Sequence, residues 1–517
     1  GSKGKSKTIT AILNFATKAN DAVTIKVGIS PVSSENALEN MRAEVPHWDF
    51  DAVAKEARSA WNDELKKITV KTNSEEEART FYTAMYHTMI APIIFNDVNG
   101  DYRGTDKIIY KNAPFQNYTI FSLWDTYRAA HPLFTIFQTD KVSDMVQSML
   151  AIDEQQGKLP VWHLMGSETN TMVGYHAVPV IVDAIYKGIP GIDKEKAFQA
   201  AKRSAMLDHE GLVYLKKYGY IPCEKEKESV AKSMEYAIDD WCIAQLAKTL
   251  GKTDDYEYFL ERSKVYTKYF DQSTRFMRGL HANRKWRSPF DPVVASHRDD
   301  DYCEGNAWQY TWLVPHDVEG LIGLFGDEES FATKLDSLFT VDSKQVEGAS
   351  VDISGLIGQY AHGNEPGHHT PYLYAFAGQQ WKTASRVREI MDTFYTDKPD
   401  GLCGNEDCGQ MSAWYIFSAL GFYPVNPANG AYVFGSPLVN EATVQLPGNV
   451  TFKVIAKNNR PENVYIQSIK LNGEDYQKSY ILHKDIMKGG KLEFVMGSAA
   501  NETFGRDMEN RPESKLY

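Results

Sequence analysis

Two short stretches place carboxylates among small residues ahead of an apolar run: "YCEGNAWQYTW", which holds Glu304, and "DGLCGNEDCGQMSAWY", which holds Glu406 and Asp407. Ordered glycine loses more backbone entropy than any other residue, so such runs persist where the chain must turn tightly or pass close to something else. Asp407 is therefore expected on a loop at a helix entrance, where free N–H groups favour negative charge. Taken singly, Asp407 reads equally well as a capping aspartate, and Glu304 as a capping glutamate before its own helix. Taken together they offer more. Two separated carboxylates, one protonated and one ionised, are the minimum for hydrolysing a glycosidic bond.

Three further loops carry polar and aromatic groups: 121–132 ("FSLWDTYRAAHP"), 161–177 ("VWHLMGSETNTMVGYHA") and 362–378 ("HGNEPGHHTPYLYAFAG"). Asp125 and Arg128 lie three apart on a helical turn, which suits a structural ion pair or, beside Trp124, a sugar clamp. "NEPGHH" reads as a His-rich metal site or as an oxygen site built from Asn364 and Glu365. Adjacent histidines point in different directions, so His368 and His369 make a poor zinc pair, and either can simply cap or pack. Carboxylates and amides without a thiolate favour a hard cation such as calcium.

The elements that must position these loops follow from patterning. Residues 75–422 alternate helical stripes, as in "EEEARTFYTAMYHTMI" and "VAKSMEYAIDDWCIAQLAKTL", with long loops rich in Gly, Pro, Asn and Asp. The fold class expected is mainly α: an (α/α)6 barrel with a remnant N-terminal β-hairpin, a helical linker and a small C-terminal β-domain. The hairpin is assigned to "TITAILNFATKANDAVTIKVGIS" (8–30), within a block 1–45 read as residual strands of an N-terminal β-sandwich. The linker is 46–74, where Phe50, Val53, Ala54, Ala57, Trp61 and Leu65 form one stripe of a packed helix. After Tyr423, short alternating runs such as "ATVQLPG", "TFKVIAK", "VYIQSIKLNG" and "KLEFVMG" make 423–517 a β-domain. The opening "GSKGKSK" reads as an appended tag and the chain as N-terminally truncated.

With 517 residues, 43% of them apolar, the chain has material for a large core. A net charge of −12 and the lack of a basic stripe argue against nucleic acid as partner. Five cysteines, an odd number with no recurring CxxC, give neither a disulfide framework nor a zinc pattern. No apolar run approaches the ~20 residues of a membrane span.

Taken together, "YCEGNAWQYTW", "GNEPGHHTPYLYAFAGQ" and "GNEDCGQMSAWY" resemble glycoside hydrolase family 92, the calcium-dependent exo-acting α-mannosidases that invert anomeric configuration. The resemblance runs collinearly from about residue 9 to about 440. It implies a barrel with its site at the junction with an N-terminal sandwich, and most of that sandwich has no counterpart in this sequence. It implies Glu304 as general acid and Asp407 as general base. Trp124, Asp125 and Arg128 would line the terminal-mannose pocket, with Trp308, Asn364, Glu365 and His368 as further substrate contacts. Calcium would be held by Glu365, Asp407 and Gln309. A mannose-containing glycan of N-glycan or mannan type is the implied substrate, and export to periplasm, cell surface or medium the implied location. With one wall of the site missing, weak binding of mannose and calcium is expected. Two rivals stand beside this reading: another inverting (α/α)6-barrel glycosidase, and a non-catalytic glycan-binding protein.

Overall fold

The computed structural model describes residue 10 and residues 12–517, and it is mainly helical. Local signals account for many helix starts. Ser74 accepts the Glu77 N–H and opens the helix Glu75–Thr88, with three glutamates in its first turn against the positive end of the dipole. Helices then pack on their neighbours in sequence: Ala130–Phe137 on Thr139–Gln156, and Thr139–Gln156 on Ala177–Tyr186, which meets Ser229–Thr249. The helix Gln410–Leu420 returns to pack on both Glu75–Thr88 and Ala130–Phe137.

The helix Ser229–Thr249 departs from the single stripe expected of it. Every residue from Ser229 to Ala247 is buried, including Lys232, Glu235, Asp239 and Asp240. A helix enclosed on all sides has no polar face, so its charges must find partners inside the protein.

The C-terminal runs form the strands expected. One six-stranded sheet has the order Ile68–Lys71, Glu441–Leu446, Val450–Lys457, Gly490–Gly497, Tyr465–Leu471, Glu474–Asp475. Along Glu441–Leu446 burial alternates, with Ala442, Val444 and Leu446 inward. The edge strand Ile68–Lys71 comes from the stretch expected to be linker, and pairs antiparallel from Ile68 opposite Val444 to Lys71 opposite Glu441. Phe452, Ile466 and Phe494 belong to the same continuous core as the helices.

The N-terminal expectations fare worse. Among the described residues of 8–30 there is a turn at Ala19 and Asn20, with the Asp21 N–H on the Lys18 carbonyl, but no strand; residues 8, 9 and 11 lie outside the described set. Ile25, Val27 and Ile29 are exposed, so the alternation has no partner strand to make it a sheet. Within the block read as strands lies a helix, Ser34–Glu44, capped by Ser33. The linker helix exists as Phe50–Leu65, yet none of its residues is buried, and Phe50 is exposed.

Candidate active site

Backbone packing brings the acidic loops together. A Cβ on Gly404 would stand 2.5 Å from the Gly363 carbonyl oxygen, so the 404–409 loop lies directly on the 362–368 loop. Gly409, at φ +95°, rests on the backbone of Thr88 at the end of the helix Glu75–Thr88. Asn364 Nδ2 donates to the Glu304 carbonyl at 2.8 Å and ties in the third loop. The stretches around 304, 364 and 407 thus form one unit.

Capping falls to the neighbours of the two leading carboxylates. Glu406 accepts from the N–H groups of Gly409 and Ser412 and caps Gln410–Leu420. Asn306 caps the turn Ala307–Tyr310 in a capping box with Gln309. Glu304 and Asp407 themselves sit at φ 51° and φ 50°, followed in the second case by Cys408 at φ 57°. Left-handed backbone at residues other than glycine is sustained only where the surroundings over-determine it.

Asp125, Glu365 and Asp407 converge: one carboxylate oxygen from each lies within 4.8 Å of the others. Asp125 and Glu365 are buried. Ser122 Oγ donates to Asp125 Oδ2, while Asp125 Oδ1 and both Glu365 oxygens are without a hydrogen-bond partner among the described residues. Burial, then repulsion from Asp407, pushes Asp125 well up; burial, then Asp125 and Asp407, does the same to Glu365. Asp407 is also raised, mainly by burial. Crowded carboxylates with unpartnered oxygens form a hard donor set that fits a divalent cation such as calcium.

Behind Asp125 lies a layer that patterning did not reveal. The buried Glu235 accepts from Trp124 Nε1 at 2.8 Å, Arg128 Nη2 at 2.8 Å and the Tyr127 hydroxyl at 3.2 Å. His176 Nε2 stands 3.2 Å from its other oxygen, and His176 Nδ1 is 2.7 Å from Asp239. Burial opposes charge on His176, but Asp239 and Glu235 outweigh it and raise the imidazole to about 9. Of the two readings of Asp125 and Arg128, the mutual ion pair is not formed, because Arg128 pairs with Glu235. The signal was present in "MEYAIDDW", where acids interrupt an otherwise apolar helix, and buried acids of this kind are seldom left unpaired.

On the other side of the unit, Glu304, His297 and Asp352 bring donor atoms within 4.8 Å of one another. Burial and the Asp352 charge raise the Glu304 carboxyl to about 7; Arg298 pulls it down, and Asp407 adds repulsion. Arg298 is itself held by Glu228, Nε to Oε1 at 2.6 Å.

Five expected site residues are engaged elsewhere. Gln309 accepts from the Asn306 N–H and donates to the Gln359 carbonyl, which engages its amide in the capping box and the 359 backbone. His368 donates from Nε2 to the His362 carbonyl and accepts from Gln410 at Nδ1; burial holds it neutral at about 3. Trp308 packs its ring edge-on to Phe276 at 4.8 Å, with Lys334 over its face. Trp124 and Arg128 are buried with their polar atoms turned toward Glu235.

A profile of the glycosyl hydrolase family 92 catalytic domain matches residues 36–498. The fold superposes with a TM-score of 0.90 on a family GH92 α-mannosidase from Bacteroides thetaiotaomicron, solved in complex with mannoimidazole. Identity is 44%, over 93% of this chain and 64% of that one. A GH92 inverting mannosidase from Bacteroides thetaiotaomicron VPI-5482 gives a TM-score of 0.86 at 34% identity, over 94% of this chain and 68% of that one. A protein of Arthroderma benhamiae named as an uncharacterized secreted glycosidase is 27% identical over 532 residues, 94% of this chain and 62% of its own length. The chain therefore spans less than two thirds of that relative and of the mannoimidazole-bound enzyme.

Proposed function

The chain belongs to glycosyl hydrolase family 92, and from that premise we propose that it is an exo-acting, inverting α-mannosidase that removes terminal mannose from glycans of N-glycan or mannan type, with calcium as cofactor. The observation that carries this reading is the pairing of Glu304, raised to about 7, with Asp407 on a separate loop that Asn364 and Gly404 pack into one unit. A carboxyl with that value is substantially protonated at neutral pH and suits a general acid for the leaving oxygen. Asp407 serves as the base that takes a proton from water on the opposite side. Inversion requires about 6.5–9.5 Å between the two carboxyl groups so that water fits between them.

Asp125, Glu365 and Asp407 would hold the cation, and Asn364 orients the loop carrying Glu365 toward Glu304. A bound hard cation supplies positive charge to vicinal sugar hydroxyls and favours a flattened ring. Trp124 and Arg128 act from behind, fixing the turn that presents Asp125.

The same proposal reads 75–422 as an (α/α)6 barrel, the helix Phe50–Leu65 as its linker and 423–517, joined by the strand Ile68–Lys71, as a β-domain. It also includes export: the Arthroderma benhamiae relative is named as secreted, and no described helix is long and apolar enough to cross a membrane.

The test is hydrolysis of a panel of aryl glycosides with and without chelator, with proton NMR of the first-formed sugar. Chelator-sensitive release of β-mannose from an α-mannoside is expected. Turnover of another glycoside alone, or first-formed α-mannose, would overturn it.

A further inference from the structure

Charge is distributed unevenly around Asp125. On one side, Asp125, Glu365 and Asp407 crowd together with three oxygens unpartnered among the described residues. On the other, the buried Arg128, three residues along the same turn, has each of its three guanidinium nitrogens engaged. Its Nε donates to the Trp124 carbonyl at 3.0 Å, its Nη1 to the Tyr127 hydroxyl at 3.0 Å, and its Nη2 to Glu235 at 2.8 Å. Its charge favours ionisation of both Asp125 and Glu365, against the larger effect of burial. Side chains three apart on one helical turn are neighbours, so a guanidinium not held elsewhere would have the orphan Asp125 oxygen as an acceptor.

We propose that Glu235 is a positioning residue that holds the Arg128 guanidinium off the Asp125–Glu365–Asp407 trio, leaving the trio open to a divalent cation instead of closed by an internal ion pair. The inference rests on the reading of that trio as a cation site. Its physical basis is the balance of the layer behind. Glu235 and Asp239 carry two negative charges, Arg128 and His176 two positive ones, and the four are linked in a chain, Arg128 to Glu235 to His176 to Asp239. A neutral rear layer has no charge to lend to the front. Glu235→Gln removes one negative charge and leaves Nη2 only a neutral amide oxygen, so the unpartnered carboxylate oxygens of Asp125 and Glu365 become the stronger acceptors. An arginine seated there occupies the oxygens a cation needs and cancels the charge that attracts it.

The test follows binding of Tb³⁺ by its luminescence, sensitised through Trp124 next to Asp125, with Ca²⁺ as competitor. It compares the wild-type chain, Glu235→Gln and the double variant Glu235→Gln/Arg128→Met. The single variant is expected to bind at least about tenfold more weakly, and the double variant to recover to within about threefold of wild type, because it no longer has a stranded guanidinium. A merely structural role predicts no recovery. A single variant that binds like wild type, or a double variant as weak as the single, overturns the assignment. If Glu235→Gln does not fold, the double variant decides: near-wild-type affinity is expected, and a tenfold loss overturns it. A cation-free crystal structure of Glu235→Gln provides a readout that does not depend on metal binding. Arg128 on Asp125 or Glu365 is expected, and Arg128 unmoved overturns the assignment. Failure of the wild-type chain to bind Tb³⁺ would remove the cation site itself, with the position of Arg128 still judging Glu235.

Discussion

Glu304 and Asp407 are each spared helix capping by a neighbour, Asn306 for the first and Glu406 for the second, which leaves both side chains available for chemistry. This division of labour predicts selective loss of activity. Glu304→Gln and Asp407→Asn should each lower turnover of a mannoside with a poor leaving group by about 10²–10⁴-fold while leaving the circular dichroism spectrum near wild type and Tm no lower. With an activated aryl leaving group, Glu304→Gln should matter far less, since little proton donation is needed; equal losses on both substrates would show that Glu304 is not the acid. The pH profile follows from the same residue. Burial and Asp352 raise Glu304 to about 7, so kcat/KM should fall as pH rises through that value and the acid loses its proton. Asp352→Asn removes a negative charge facing Glu304, eases its ionisation and should move the alkaline limb to lower pH, measurable on the same substrate. Glu304 and Asp407 could be singled out in the sequence as the proposed pair because their glycine-rich surroundings are local. Membership of Asp125 in the carboxylate trio was not, since three loops distant in sequence must fold before those oxygens meet.

At the scale of elements, what could be read depended on where the determining contacts lie. The helix Glu75–Thr88 and the strands after Tyr423 were legible because capping residues and alternation sit within each segment. The stretch 8–30 alternates as well as they do, but a strand is defined by its partner, and Ile25, Val27 and Ile29 have none. In Ser229–Thr249 the error was the reverse: charges at 235, 239 and 240 suggest a wet face, whereas Arg128, His176, Tyr175 and Arg262 meet them inside. The contact between the 362–368 and 404–409 loops is the element that assembles the site, and it depends on Gly404. A methyl there would meet the Gly363 backbone, which cannot rotate aside as a side chain can. Gly404→Ala should therefore separate Glu365 from Asp407. The expected result is a loss of about 1–3 kcal/mol in stability and a larger proportional loss in kcat/KM and Ca²⁺ affinity, read by thermal melts and titration. Unchanged cation affinity would show that the loops are not held in register by this contact.

For the whole molecule, the trio is a standing liability whose size depends on pH. Asp125, Glu365 and Asp407 all have folded-state values raised above those of free carboxyls, chiefly by burial. The resulting penalty is absent below the unfolded carboxylate range, where both states are protonated. It grows as pH rises between the unfolded and folded values, and is complete above the latter. A cation that binds the ionised trio offsets it, so saturating Ca²⁺ should raise Tm by a few °C at about pH 7.5 and by much less at about pH 5. An equal shift at both pH values would place the stabilising ion elsewhere. The strand Ile68–Lys71 has a different kind of consequence. Lys71 pairs with Glu441, 370 residues further on, by a salt bridge and by strand register. During synthesis at roughly 5–20 residues per second, the first of these strands leaves the ribosome on the order of 20–70 s before its partner exists. Through that interval it is an open edge, and the Lys at its end helps to keep it from pairing with another nascent chain before its own sheet arrives.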